Sequence, residues 1–118
     1  MAGLGFEANT MNRIEYDEHA DALYVYFSSK KVYHSLELSP RLAVDLTENG
    51  QPVGVEILDA SEQLSEWLGH SVSKTKIKNA LECQMRQTDT LYLQFELDDE
   101  KATLALPMNY VSPVLALG

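Results

Sequence analysis

Between Arg13 and Ser61 the chain alternates apolar and other residues in short runs separated by turn residues. A period of two places alternate side chains on opposite faces of an extended strand, so these runs predict strands and not helices. In Ala22–Phe27, Leu23, Val25 and Phe27 share one face and Tyr24 and Tyr26 the other. Both faces are partly apolar, which predicts a central strand or one whose second face is covered by a partner. Val32–Leu38 follows, with Val32, His34, Leu36 and Leu38 on one side and Tyr33, Ser35 and Glu37 on the other. Pro40 lacks a donor and interrupts regular pairing. Leu42, Val44 and Leu46 then point inward. Val53, Val55 and Ile57 repeat that pattern on the return strand, with Gly54 and Glu56 opposite. Between the two lies Asn49-Gly50, a pair that tolerates positive φ and marks a hairpin. Gly54 offers room for a close approach by a neighbouring group.

The strand pattern then gives way to a helical one. Leu64, Trp67 and Leu68 are spaced for one helix face over Ala60–Leu68. Asp59 or Ser61 is positioned to cap it, Asp59 having Glu62 three residues on, and Gly69 is a natural stop. Trp67 is expected to plug one side of the sheet. Ser71–Gln84 is ambiguous: Ile77 and Leu81 meet on a helix, whereas Ile77, Asn79, Leu81 and Cys83 align on a strand. A short helix near Thr75–Glu82 is the expectation. Thr90–Leu97 is again a strand, with Leu91, Leu93, Phe95 and Leu97 on one face. Asp98–Lys101 forms a charged turn, and Ala102–Leu106 returns and stops at Pro107. Asp21–Phe27 echoes Asp89–Phe95, which suggests two similar β units around a helical middle. The expected fold class is α+β, an antiparallel β-sheet of hairpins packed against one or two short helices. Residues 1–12 are expected to be a flexible N-terminus and 13–118 a single domain, divided into a β module (13–61), a helical middle (62–84) and a second β unit with its tail (85–118). In that tail Val111, Val114, Leu115 and Leu117 are expected to pack on the body or on another subunit.

The chain has 118 residues and a formal charge of -9. That acidity disfavours nucleic acid, whose binding depends on many Lys and Arg contacts to phosphate. Lys74, Lys76 and Lys78, with Arg86 further on, form the one basic concentration; their alternation fits one face of a strand, as a solvated charged face. No apolar run approaches the length of about eighteen residues that suggests a membrane span, and no secretory leader pattern opens the chain. The single cysteine, Cys83, forbids an internal disulfide and fits a reducing, cytoplasmic address; it is expected to be a small buried apolar residue.

Three segments together resemble a known family. They are Tyr16-Asp17-Glu18-His19-Ala20-Asp21-Ala22-Leu23-Tyr24, then Val44-Asp45-Leu46, and then the stretch from Gly50 through Gly54, Glu56 and Asp59 to Ser61. In this order they are similar to the domain of unknown function 2283 family of small prokaryotic proteins. Glu18 and Val55 depart mildly from its pattern, and Ser71–Gly118 lies outside it. The resemblance implies a compact antiparallel β unit running into a helix. It implies no reaction, cofactor or catalytic residue.

The residues themselves point to little chemistry. Glu15, Asp17, His19 and Asp21 are the densest set of potential ligands, and Asp17, His19 and Asp21 make a weak cation-site candidate. Their spacing matches no calcium loop, and Asp17 and Asp21 serve equally as turn caps. Asp45 and Glu56 are expected to face each other across the second hairpin as outer-face groups. No nucleophile elbow or phosphate-binding glycine loop is present. The leading expectation is a non-enzymatic homo-oligomeric domain used for assembly or regulation, most simply a dimer, without cofactor. The alternatives are a small enzyme or ligand-binding protein with an interface pocket lined by Tyr24, Tyr26 and Tyr92, and an acidic partner of a basic toxin or nucleic-acid enzyme.

Overall fold

The computed structural model describes residues 12–107. The expectations for residues 1–11 and for the tail from Met108 lie outside the described residues. The elements run β1 (Ile14–Asp17), β2 (Ala22–Tyr26), β3 (His34–Ser39), β4 (Leu42–Leu46), β5 (Pro52–Leu58), α1 (Ala60–Leu68), α2 (Lys74–Ala80), β6 (Glu82–Gln87), β7 (Thr90–Leu97) and β8 (Glu100–Pro107). They form a five-stranded sheet in the order β1-β2-β5-β4-β3 and a three-stranded sheet in the order β6-β7-β8, antiparallel throughout. The α+β class expected from the alternation is the observed one, with two sheets and two helices.

The alternation also sets the core. Leu23 and Val25 from β2, Val44 from β4, and Val55 and Ile57 from β5 are buried together with Leu91, Leu93 and Phe95 from β7. Ala60 and Leu64 of α1 and Ile77 of α2 complete this shared core. Each of the valine, leucine, isoleucine and phenylalanine side chains contributes about 1.5–3 kcal/mol on full burial. Trp67 stacks on Phe95 with ring centroids 5.7 Å apart, so the expected plug is present and fastens α1 onto the smaller sheet. The edges of the sheets meet where the Asn12 N–H donates to the Cys83 carbonyl at 2.8 Å.

Turn chemistry accounts for the connections. Gly50 adopts φ 84°, and its N–H donates to the Thr47 carbonyl at 3.0 Å, closing the β4–β5 hairpin as the Asn49-Gly50 signal predicts. Asp98 and Asp99 both have positive φ, at 51° and 69°. Two successive left-handed residues make the primed turn that suits a tight hairpin, so the turn is confined to that pair and Glu100 already belongs to β8. Gly69 ends α1 at φ 82°, its N–H donating to the Ser65 carbonyl at 2.9 Å.

Several boundaries and pairings differ from the sequence expectation. β3 begins at His34 and not at Val32; the Tyr33 N–H donates to the carbonyl of Leu46, the residue that His34 already faces, so Tyr33 stands outside the regular ladder. Lys74, Lys76 and Lys78 lie on α2 and not on a strand. The Ser73 hydroxyl accepts the Lys76 N–H at 3.1 Å and starts the helix. Ile77 and Leu81 are both buried one turn apart, so the apolar pair favours the expected helix, but it ends at Ala80: Leu81 is extended and Glu82 already opens β6. Asp59 occupies the cap position of α1 but makes no side-chain cap bond; it is left-handed, with φ 51°. Its carboxylate turns instead towards the Arg41 guanidinium, 3.8 Å away. Asp45 and Glu56 are not opposite each other either: Asp45 pairs with Gly54, and Glu56 with Ala43. The two similar β units differ in wiring. β7 pairs with the strand that follows it, whereas β2 pairs with β5 and the next strand, β3, goes to the far edge.

Candidate functional site

The outer face of the five-stranded sheet gathers the polar and aromatic side chains that alternate with the core. Tyr24 and Tyr26 stand next to each other on β2, ring centroids 4.6 Å apart. The Tyr24 ring lies over Gly54 of the neighbouring strand, where an added Cβ would collide with it. Only a residue without a side chain leaves that path open. Tyr24 thereby reaches across β5 to β4, and its hydroxyl donates to Asp45 Oδ2 at 2.6 Å. The other oxygen of Asp45 accepts from the Ser35 hydroxyl of β3 at 2.6 Å. One carboxylate therefore links β2, β4 and β3. Burial, followed by the Asp45 bond and charge, pushes the Tyr24 hydroxyl well above the ordinary tyrosine range. The Tyr26 hydroxyl donates to Glu15 at 2.7 Å, and the Arg13 guanidinium sits 3.8 Å from the centre of the Tyr26 ring.

The acidic turn between β1 and β2 is equally occupied. Asp17 Oδ1 accepts the His19 and Ala20 N–H groups at 2.9 and 3.2 Å, the turn cap expected of it. Asp21 accepts the Tyr16 hydroxyl at 2.5 Å and, from the start of α1, the Ser61 N–H at 3.0 Å and hydroxyl at 2.7 Å. Burial works to raise the Asp21 pKa, but the bonds from Tyr16 and Ser61 outweigh it and hold the carboxyl below its usual value. Tyr16 is raised, first by burial and then by Asp21. Asp17, His19 and Asp21 thus serve separate backbone and hydroxyl partners or face solvent. Among the described residues no group of three or more His, Cys, Asp and Glu side chains is placed to hold a metal ion.

Two open grooves flank Tyr24. One, of about 660 Å³, is lined by the acidic turn, Tyr16 and Lys78; the other, of about 670 Å³, by Arg13, Tyr26, Lys30, Val32 and Val53 among others. Tyr92 lines neither. It belongs to the three-stranded sheet, with the Arg86 guanidinium 4.6 Å from its ring centre. Tyr24 and Tyr26 are brought together within one chain, and Tyr92 is not among them. The lysines stay exposed on α2, where Lys76 pairs with Asp98 at 2.6 Å and Lys78 with Glu18 at 3.1 Å. Cys83 is buried, and burial pushes its thiol up to about 12, where little thiolate exists.

Sequence reasoning did not find Tyr16, Ser35 or Ser61 as members of these networks. The short-range signal marks Asp21 and Asp45 as polar outer-face or turn residues, whereas their partners come from strands and a helix that only the fold brings near. No helix among the described residues is long and apolar enough to cross a membrane. Residues 13–61 match the family described as a protein of unknown function (DUF2283), a stretch that contains all five strands of the larger sheet and ends on the serine that Asp21 holds. No curated protein and no solved structure matches the chain.

Proposed function

We propose that the protein is a non-enzymatic homo-oligomeric domain for assembly or regulation, and that it works as a dimer. The observation that carries this reading is the surface where β3 begins. Val32 and Tyr33 directly precede β3, 42% and 57% exposed, and β3 is an edge strand of the five-stranded sheet among the described residues. An open strand edge beside apolar side chains is a template for association, and a symmetric pair of copies is the commonest way to cover it.

The polar groups support the same reading. Asp21, Asp45, Glu15 and Asp17 each accept hydrogen bonds within the chain, in arrangements that tie strands and turns together. A general acid or base needs a carboxyl free to meet a substrate in a cleft, and the grooves beside Tyr24 are open. Sedimentation equilibrium of the full chain at micromolar concentration tests the proposal. A species of twice the 13.2 kDa chain mass is expected, and a clean monomer would count against it.

A further inference from the structure

We infer that the outer face of the five-stranded sheet docks a basic segment of a partner protein, held extended with a cationic side chain at every third residue. The inference goes beyond the dimer proposed above and does not rest on it. Register lines up one row of side chains across all five strands. Glu15 of β1 faces Tyr24 of β2, Tyr24 faces Glu56 of β5, Glu56 faces Ala43 of β4, and Ala43 faces Glu37 of β3. Residues paired in this way share one side of a sheet. Here it is the side away from the core: Glu15, Glu37 and Glu56 are exposed, whereas Val55 and Ile57, which flank Glu56 on β5, are fully buried. Three carboxylates therefore stand in line, each two strands from the next. Neighbouring strands lie about 4.8 Å apart, so these positions are about 10 Å apart.

The chain itself leaves this row short of positive charge. Glu37 and Glu56 enter no ion pair among the described residues. Glu15 has one exposed contact, with Arg13 at 3.8 Å. Residues 1–11 and 108–118 contain Glu7 and no Lys, Arg or His, so they bring no basic side chain to it. Tyr24 and Ala43 stand between the carboxylates, and Leu58, 38% exposed, lies two residues beyond Glu56 on the same face. Such apolar footing suits the long stems of Arg and Lys. A second copy would set the same carboxylates against these, and like charges repel; phosphate backbones are repelled in the same way. A basic polypeptide complements the row. The spacing selects its form: a polyproline-type chain has three residues per turn and rises about 3.1 Å per residue, so every third side chain returns to one side after about 9.3 Å. A β-strand returns after two residues, at about 6.7 Å, and falls out of step.

Titration of the full chain, labelled for amide NMR, with two short peptides tests the inference. One carries an arginine at every third position with proline and alanine between; the other has the same composition with its arginines adjacent. The spaced peptide should shift the amides of Glu15, Glu56, Ala43 and Glu37 most, and should bind about threefold more tightly than the clustered one. Glu37→Gln and Glu56→Gln should each weaken it by about threefold, the usual worth of one exposed ion pair. Glu66→Gln removes the same charge from an exposed position on α1 and should leave the affinity unchanged. Equal weakening by Glu66→Gln, or shifts spread over the whole surface, would reduce the effect to net charge and overturn the docking face. Equal affinity for the two peptides overturns the extended form with its three-residue spacing. Absence of binding by either peptide removes the inference, while the proposed dimer is decided separately by sedimentation of the chain alone.

Discussion

Asp21 caps α1 through the backbone N–H and the hydroxyl of Ser61, forty residues further along the chain. Its backbone carbonyl also accepts the Ala60 N–H at 2.9 Å. Asp59, directly before α1, has the right chemistry but the wrong geometry: its φ of 51° turns its carboxylate away from the first turn. The orphan N–H groups of a helix start need an acceptor from somewhere. Here the β1–β2 turn supplies it, and the same carboxylate holds Tyr16, so sheet and helix close on one side chain.

Replacing Asp21 should therefore cost more than replacing Asp59. Asp21→Asn keeps a residue that tolerates the left-handed conformation but removes the charge and half the acceptors. A loss of about 1–2 kcal/mol is expected from the cap alone. Asp59→Asn should stay within about 0.5 kcal/mol, because its contact with Arg41 is an exposed ion pair. Urea unfolding of the two variants checks the order. Equal losses would show that Asp21 does not act as the cap.

The elements visible in the sequence are those set by local pattern. Leu91, Leu93, Phe95 and Leu97 alternate without a break, and β7 follows them at every position. Asn49-Gly50 and Pro40 mark turns by their own backbone preferences, and both turns are present. What pattern does not carry is where distant elements meet. Asp59 satisfies the local spacing of a capping box with Glu62, yet the cap comes from Asp21, whose approach depends on β2 pairing with β5. Likewise Gly54 is recognisable as a place of close approach, but not that Tyr24 fills it to reach Asp45. The lysines of α2 alternate as on a strand; the buried pair Ile77 and Leu81 decides for a helix.

Gly54→Ala should destabilise the five-stranded sheet. Exchanging glycine for alanine in a strand ordinarily gains about 0.5–1 kcal/mol. Here the new methyl group meets the Tyr24 ring, which Tyr26 flanks and Asp45 holds by its hydroxyl. Overpacking of this kind costs about 1–3 kcal/mol, so the net sign is destabilising. Removing the ring should relieve it: in the Tyr24→Ala background the same Gly54→Ala change should cost nothing or stabilise slightly. Thermal unfolding of the four proteins gives the coupling directly, and additive effects would exclude the clash.

Cys83 should be inert while the protein is folded. Burial pushes its thiol up to about 12, so the thiolate that reacts with alkylating or disulfide reagents is scarce at neutral pH. Modification by a small thiol reagent should be slow in the native protein and fast in urea. Its rate should follow opening of the β6 region, where Cys83 is paired with Phe95. Rapid labelling of the folded chain would show that this edge opens readily.

Two opposite pH limits on stability follow from the tyrosine–aspartate pairs. Asp21 has a lowered folded pKa, so its stabilisation is present above the unfolded value of about 3.9 and is lost as pH falls through the folded one. Tyr16 and Tyr24 are raised above 10.0, first by burial and then by their carboxylate partners. Their contribution is complete below pH 10 and declines as pH rises from there towards the folded values, because the unfolded phenols lose their protons first. Stability should therefore fall at both ends by mechanisms that separate residues can switch off. Asp21→Asn should flatten the acid limb. Tyr24→Phe should flatten part of the alkaline limb while lowering the plateau by about 1.5–3 kcal/mol, the usual worth of a bond to a charged acceptor. Urea midpoints measured across the pH range test both. An unchanged alkaline slope in Tyr24→Phe would mean that its hydroxyl titrates alike in the folded and unfolded chain.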